Sequence, residues 1–202
     1  ELGLLCTKFS RRGRKYISYK GTVGKIADNL LNRNFHSKRK NEVWVTDVSE
    51  FKVKDRKIYL SPIMDLYNSE IVSYNLSTSP TVEFALKPLK EAIAKTSNKN
   101  NLMIHSDQGF HYQNHLWVRQ LEKHNIKQSM SRKGNCLDNS PIENFFGILK
   151  QEMYYGNTFK SIQELSQKIE EYIYWYNNHR IKAKLKGLSP VDYGRETLIT
   201  IT

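Results

Sequence analysis

Three carboxylates stand out by the residues around them: Asp47 in WVTDVSEF, Asp107 in HSDQGFHY and Glu143 in SPIENFFGILKQE. Acids brought together repel one another, so such a group makes physical sense chiefly around cations. A small set of oxygen donors suits Mg²⁺ or Mn²⁺, which keep waters and accept phosphate oxygens as further ligands. Two such ions about 3.5–4 Å apart can activate an attacking oxygen and stabilise a leaving one at phosphorus. The chemistry expected is therefore displacement at a phosphodiester. Glu143 also carries a blander reading. Ser140 three residues before it, with Pro141 in the first helical position, fits a capping box in which the Glu reaches back to the N-cap amide.

For the acids to meet, the chain must bring three distant segments together. EVWVTDV, residues 42–48, is rich in β-branched and aromatic residues and predicts a strand ending near Asp47. RKIYLSPIMDL and EIVSYNLS, separated by Tyr67, Asn68 and Ser69, predict a hairpin, so the first three strands are expected to be antiparallel neighbours. From Thr81 to Lys95 the period becomes helical, with Val82, Leu86, Leu89 and Ile93 on one face and Pro88 expected to kink or divide the helix. LMIHSD, 102–107, predicts a short buried strand with Asp107 at its end. A helix from His111 to Lys123 and a short strand near IKQSM follow. Strands first, then alternating helix and strand, predict an α/β fold with a mixed sheet covered by helices, and strand ends are where such sheets bind ligands. A helix led by Glu143 comes next. A second long helix starts near Ser161, where Ser161 and Glu164 repeat the capping-box pattern and Ile162, Leu165, Ile169, Ile173 and Tyr176 form one apolar face.

The net charge of +12 is concentrated at the ends. Residues 1–40 hold eleven Lys and Arg against two acids, residues 178–202 hold five against two, and the centre balances at sixteen of each. This divides the chain into a basic arm (1–40), a core (41–177) and a basic tail (178–202). A neutral globule with basic ends predicts a polyanion partner. Arg11, Arg12, Arg14 and Lys15 in the arm, interleaved with aromatic residues, and Arg180, Lys182, Lys184 and Lys186 in the tail are candidate phosphate contacts, with solvated termini as the alternative. On the helix of Glu143, Gly147 and Lys150 lie four and seven residues on, and Lys150 is a further candidate DNA contact. Two distant cysteines, no signal peptide and no long apolar run predict a soluble protein of a reducing, cytoplasmic compartment, outside any membrane.

Other chemistry-bearing residues have quieter readings. His111 and His115 lack companions at zinc spacing and are expected to pack or lie on the surface. His105 is expected to order a strand end, Asp65 to make a structural hydrogen bond, and Asp138 and Asn139 to shape the turn before the helix. Tyr172, Trp175 and Tyr176 are expected in the helix core.

The three acidic blocks, taken in order, resemble the catalytic blocks of bacterial insertion-sequence transposases with an integrase-type core. Thirty-five residues separate Asp107 from Glu143, and Lys150 follows Glu143 by seven, similar to the DD(35)E signature shared with retroviral integrases. GKIADNLLNRNF before the core and YNNHRIKAKLKGLSPVDY after it resemble the second-frame product of the insertion-sequence-three family. The resemblance implies an RNase H-like fold with Asp47, Asp107 and Glu143 as metal ligands. It further implies cleavage of DNA at element ends and transfer of the freed 3′-hydroxyl to a second strand, with end recognition by an upstream helix-turn-helix region that is not evident in this stretch of sequence; the oligomeric state is open, and concerted processing of two ends would call for a homo-oligomer on DNA. A nuclease of the same fold that stops at hydrolysis, or a non-catalytic DNA-binding derivative, is an alternative.

Overall fold

In the computed structural model, residues 24–97 and 99–199 are described. The expected α/β architecture is present: a six-stranded mixed sheet between two layers of helices. The strands are β1 (Val43–Thr46), β2 (Ser49–Val53), β3 (Arg56–Asp65), β4 (Ile71–Ser77), β5 (Met103–Ser106) and β6 (Lys127–Met130). β1 runs antiparallel to β3 and parallel to β5, which in turn is parallel to β6, while β4 closes the other edge of β3. The expected antiparallel arrangement of the first strands thus holds, with one strand added. β1 and β2 lie end to end along β3 in one register, Thr46 opposite Ile63 and Ser49 opposite Leu60. The ladder lapses at Asp47 and Val48, opposite the part of β3 where Pro62 has no N–H to offer.

Alternation sorts the sheet's two faces. Val43, Val45, Phe51, Ile58 and Leu60 pack with Ile142, Phe145 and Leu149 of α4 (Ser140–Leu149) and with Leu165, Ile169 and Ile173 of α5 (Ile162–Asn178). Trp44, Ile63 and Ile104 face the other way, onto α1 (Val82–Lys95), α2 (Phe110–Gln113) and α3 (His115–Lys123). Both layers follow from the period-two pattern of the strands meeting the period-3.6 pattern of the helices.

Several expectations change in detail. α1 is undivided although Pro88 lies inside it. Proline leaves the Phe84 carbonyl without its usual donor, and Asn75 Nδ2 on β4 donates to that oxygen at 3.2 Å. Asn75→Ala should therefore cost about 1 kcal/mol, a fall of roughly 2–4 °C in melting temperature for a chain of this size. An unchanged thermal melt would show that water serves that carbonyl equally well. The helix expected over His111–Lys123 is broken at Asn114, whose side chain accepts from Leu116 N and caps α3. Ser140 makes no cap bond; it is the first residue of α4. At Ser161 half the box forms, Ser161 Oγ accepting from Glu164 N while Glu164 Oε2 accepts from Lys160 N.

The segments on either side of the core are packed on it. Leu31 is buried, and the N–H groups of Leu30 and Leu31 donate to Ser129 Oγ. At the other end Leu185 is buried, and Pro190, the first residue of α6 (Pro190–Ile199), accepts from Asn68 Nδ2.

Candidate active site

The parallel register of β1 and β5 sets Val43 opposite Met103 and Val45 opposite His105. Carried two residues further, it sets Asp47 beside Asp107, each just past its strand's carboxyl end and on the face that α4 covers. α4 comes over the same place because Ile142, Phe145 and Leu149 belong to that face's core. Its head is pinned by Asn139, whose Nδ2 donates to the Thr46 carbonyl at 3.1 Å, one residue before Asp47. Glu143 follows one turn later, half-buried at the sheet's end.

Backbone N–H groups fix two of the carboxyls. Val48 N donates to Asp47 Oδ1 at 2.7 Å, and Gly109 N donates to Asp107 Oδ1 at 2.9 Å. A Cβ at position 109 would itself lie 2.9 Å from that oxygen, so the close approach needs glycine. Burial, then the charge of Asp107, pushes the Asp47 carboxyl well above the usual range; the Val48 N–H and the Lys150 ammonium act in the opposite sense. Asp107 is raised by burial against its Gly109 bond, and Glu143 is raised by burial and by Asp107. Asp47 is thus raised by both other acids and Glu143 by Asp107, like charges gathered in a poorly solvated place. Among the described residues no three His, Cys, Asp or Glu side chains are drawn together tightly enough to hold an ion as they stand. The donor set nevertheless fits a hard divalent cation: carboxyl oxygens only, with a mutual repulsion that positive charge would relieve.

Lys150 does not sit on an exposed face as its spacing suggested. α4 runs on into a π-helical turn, Lys150–Tyr154, but Lys150 N still bonds the Phe146 carbonyl four residues back, so Lys150 stays on the side of the helix where Phe146 is buried and is itself 8% exposed, its Nζ 4.9 Å from the Phe51 ring centre. Gly147 is exposed with open space around it, as a close-approach face requires.

The tail's cations divide. Arg180 pairs with Glu152 through Nε and Nη2, at 2.6 Å in the shortest contact, and Lys182 donates to Tyr176 Oη at 2.8 Å. Both serve the fold, while Lys184 and Lys186 are exposed. Arg11, Arg12, Arg14 and Lys15 lie outside the described residues.

Asp65 makes the structural bonds expected of it, accepting from Asn41 N and Tyr67 N, and burial pushes its carboxyl to about 6. His111 is buried and bonded to the Pro80 carbonyl, and His115 is exposed. His105 is fully buried between Ser129 Oγ and Ser131 Oγ, tying the end of β5 to β6. Tyr172 and Tyr176 are core residues, but Trp175 is 42% exposed.

The sequence reading missed the scale of Asp138. Its fully buried carboxylate accepts from Asn29 Nδ2, Arg33 Nε, and Arg132 N, Nε and Nη2, joining three segments rather than one turn. Its partners stand up to 109 residues away, so no local pattern announces them.

The family described as Integrase core domain matches residues 37–136 and again residues 143–198. The chain is 47% identical over 196 residues to the transposase InsK of insertion sequence element IS150 from Escherichia coli K12, covering 97% of this chain and 69% of that protein. It is 50% identical over 185 residues to a transposase-like protein of Haemophilus influenzae, covering 92% and 85%. Among solved structures it resembles the HTLV-2 integrase catalytic core in complex with magnesium, at a TM-score of 0.63 and 18% identity over 79% of this chain and 99% of that one. The likeness establishes an RNase H-like fold. No helix among the described residues is long and apolar enough to cross a membrane.

Proposed function

The chain belongs to the insertion-sequence transposases with an integrase core, and from that premise we propose that Asp47, Asp107 and Glu143 are its catalytic carboxylates, acting on DNA at the ends of a mobile element. The observation that carries the assignment is the register of β1 and β5, which brings the two aspartates side by side beneath the helix of Glu143. One or two divalent cations, Mg²⁺ or Mn²⁺, held by these three side chains would supply Lewis acidity at the scissile phosphate and offset the repulsion among the acids.

The remaining work falls to the chain. The N–H groups of Val48 and Gly109 keep one oxygen of each aspartate turned, leaving the other for a ligand. Lys150 places a positive charge near Asp47 from inside the fold, held over Phe51. In the first reaction water attacks phosphorus, the bond to the 3′-oxygen breaks, and a 3′-hydroxyl and a 5′-phosphate are left. In the second that 3′-hydroxyl attacks a phosphodiester of another strand, gives up its proton, and the target's own 3′-oxygen leaves. Both are displacements at phosphorus with an oxygen nucleophile, so one site serves both.

DNA is thus the substrate, and two ends processed together call for more than one copy on the DNA. An upstream helix-turn-helix region as a partner follows the same reading. Incubation of the protein with DNA carrying the native element's ends and Mg²⁺ or Mn²⁺ should give products joined to a second strand. Cleaved ends with no joined product would instead support a nuclease, and neither product would support a DNA-binding derivative.

A further inference from the structure

We propose that Arg33 and Arg132 form a phosphate-binding fork at the rim of the carboxylate site, held in shape by the buried carboxylate of Asp138 and taking the backbone of a DNA strand. The proposal rests on the nucleic-acid reading above and adds a binding site that the basic termini did not suggest. Arg33 meets Asp138 Oδ1 through Nε at 2.8 Å and Asn135 Oδ1 through Nη2 at 3.0 Å. Arg132 meets Asp138 Oδ2 through Nε and Oδ1 through Nη2, both at 2.8 Å.

One buried acid needs one cation for balance, and here it has two. The pair therefore leaves a surplus positive charge, and it stands outward: the side chain of Asp138 is 0% exposed, whereas those of Arg33 and Arg132 are 42% and 53% exposed. Lys133 and Gly134 beside them are exposed as well. A guanidinium carries five N–H donors in a rigid plane, so the edges turned away from Asp138 remain suited to phosphate oxygens. Because Asp138 already fixes each plane, little side-chain freedom is lost on binding.

Position links the fork to the chemistry. Arg132 lies two residues past β6, and the residue before it, Ser131, donates its N–H to the Ser106 carbonyl and accepts from Gln108 Nε2, on either side of Asp107. Asp138 is followed by Asn139, whose amide holds the carbonyl next to Asp47. The acids at the centre repel a strand's phosphates, so a positive rim is needed to hold the phosphates on either side of the one that reacts.

The test is equilibrium binding of a short labelled duplex without divalent metal, followed by anisotropy over a series of salt concentrations. The variant is the triple substitution Arg33→Gln, Arg132→Gln and Asp138→Asn, which removes the fork without leaving a buried charge unpaired. Two lost phosphate contacts should make the slope of log affinity against log salt shallower by about 1.8 and weaken binding by roughly tenfold or more at low salt. Parental slope and affinity in a triple variant that melts cooperatively would overturn the fork. Should the triple variant not fold, Arg33→Lys with Arg132→Lys keeps both charges against Asp138 but loses the planar edges. Weaker binding is then expected, and parental affinity would overturn the proposal. Parental protein that binds no duplex at all would instead refute the nucleic-acid reading itself, a different failure from a fork that makes no difference.

Discussion

Asp47→Asn, Asp107→Asn and Glu143→Gln are each expected to abolish strand cleavage while duplex binding stays within a few-fold of the parent. A cation's stabilisation of the transition state is worth several kcal/mol, so the loss should be at least ~10³-fold in rate. An amide keeps the shape of the carboxyl but donates weakly to a hard ion. Duplex affinity should not fall, because each substitution deletes a negative charge near the phosphates. Gel-resolved cleavage of end-containing DNA reads the first effect and anisotropy the second. A variant cleaving at near-parental rate would remove its residue from the catalytic set.

The same substitutions give an independent reading through stability. Burial and like charge raise the carboxyls of Asp47, Asp107 and Glu143 in the folded chain. A raised acid makes folding less favourable once pH exceeds the ordinary carboxylate range, since the folded state then gives up its protons less readily than the unfolded one. Without divalent metal, Asp47→Asn and Asp107→Asn should therefore melt at or above the parental temperature near neutral pH, with the gain vanishing toward pH 3–4. Added metal should raise the parental melt and leave the variants nearly unmoved. A merely structural carboxylate would behave in the opposite way, losing stability on substitution and gaining nothing from metal.

What could be read in advance follows the range of the interactions. β1 and β5 were legible because runs such as VWV and MIH leave little choice, and Asp47 and Asp107 were legible as polar ends of such runs. β2 was not, because its turn into β3 uses Lys54 with a left-handed backbone (φ 53°) where a glycine would have signalled it. The burial of Lys150 was hidden because the ring its ammonium lies over, Phe51, comes from a distant strand, and a long charged side chain four residues after Phe146 reads as exposed until that strand packs beside it. Arg180 and Lys182 read as free tail cations because Glu152 and Tyr176, their partners, are fixed only when α5 folds back on the end of α4. Asn75 rescuing the Phe84 carbonyl is of the same kind: the proline was visible and its remedy was not.

Asp138 gives the second large effect, and its sign is opposite to that of the catalytic acids. Hydrogen bonds from Arg132, and after them from Arg33, hold its carboxyl far below the usual range against the penalty of burial. Asp138→Asn substitutes an amide that must turn an N–H toward donors. Charge-assisted hydrogen bonds contribute about 1.5–3 kcal/mol. Both arginines are partly exposed and regain water, which keeps the loss below the roughly 3–5 kcal/mol of a fully buried broken pair. A cost of about 2–3 kcal/mol is expected, or a melting temperature lower by roughly 4–12 °C for a chain of this size. A depressed acid contributes its full stability above the unfolded value of about 3.9 and loses it as pH falls toward the folded value. Parent and variant should thus differ by a constant amount from pH 5 upward and converge below pH 4. Because the same carboxylate anchors the chain entering α4, the variant should also cleave more slowly at saturating DNA, through a misplaced Glu143. Thermal melts of both proteins from pH 3 to 7 decide the matter: a difference that stays constant down to pH 3 would mean that the charge of Asp138 does not hold these three segments together.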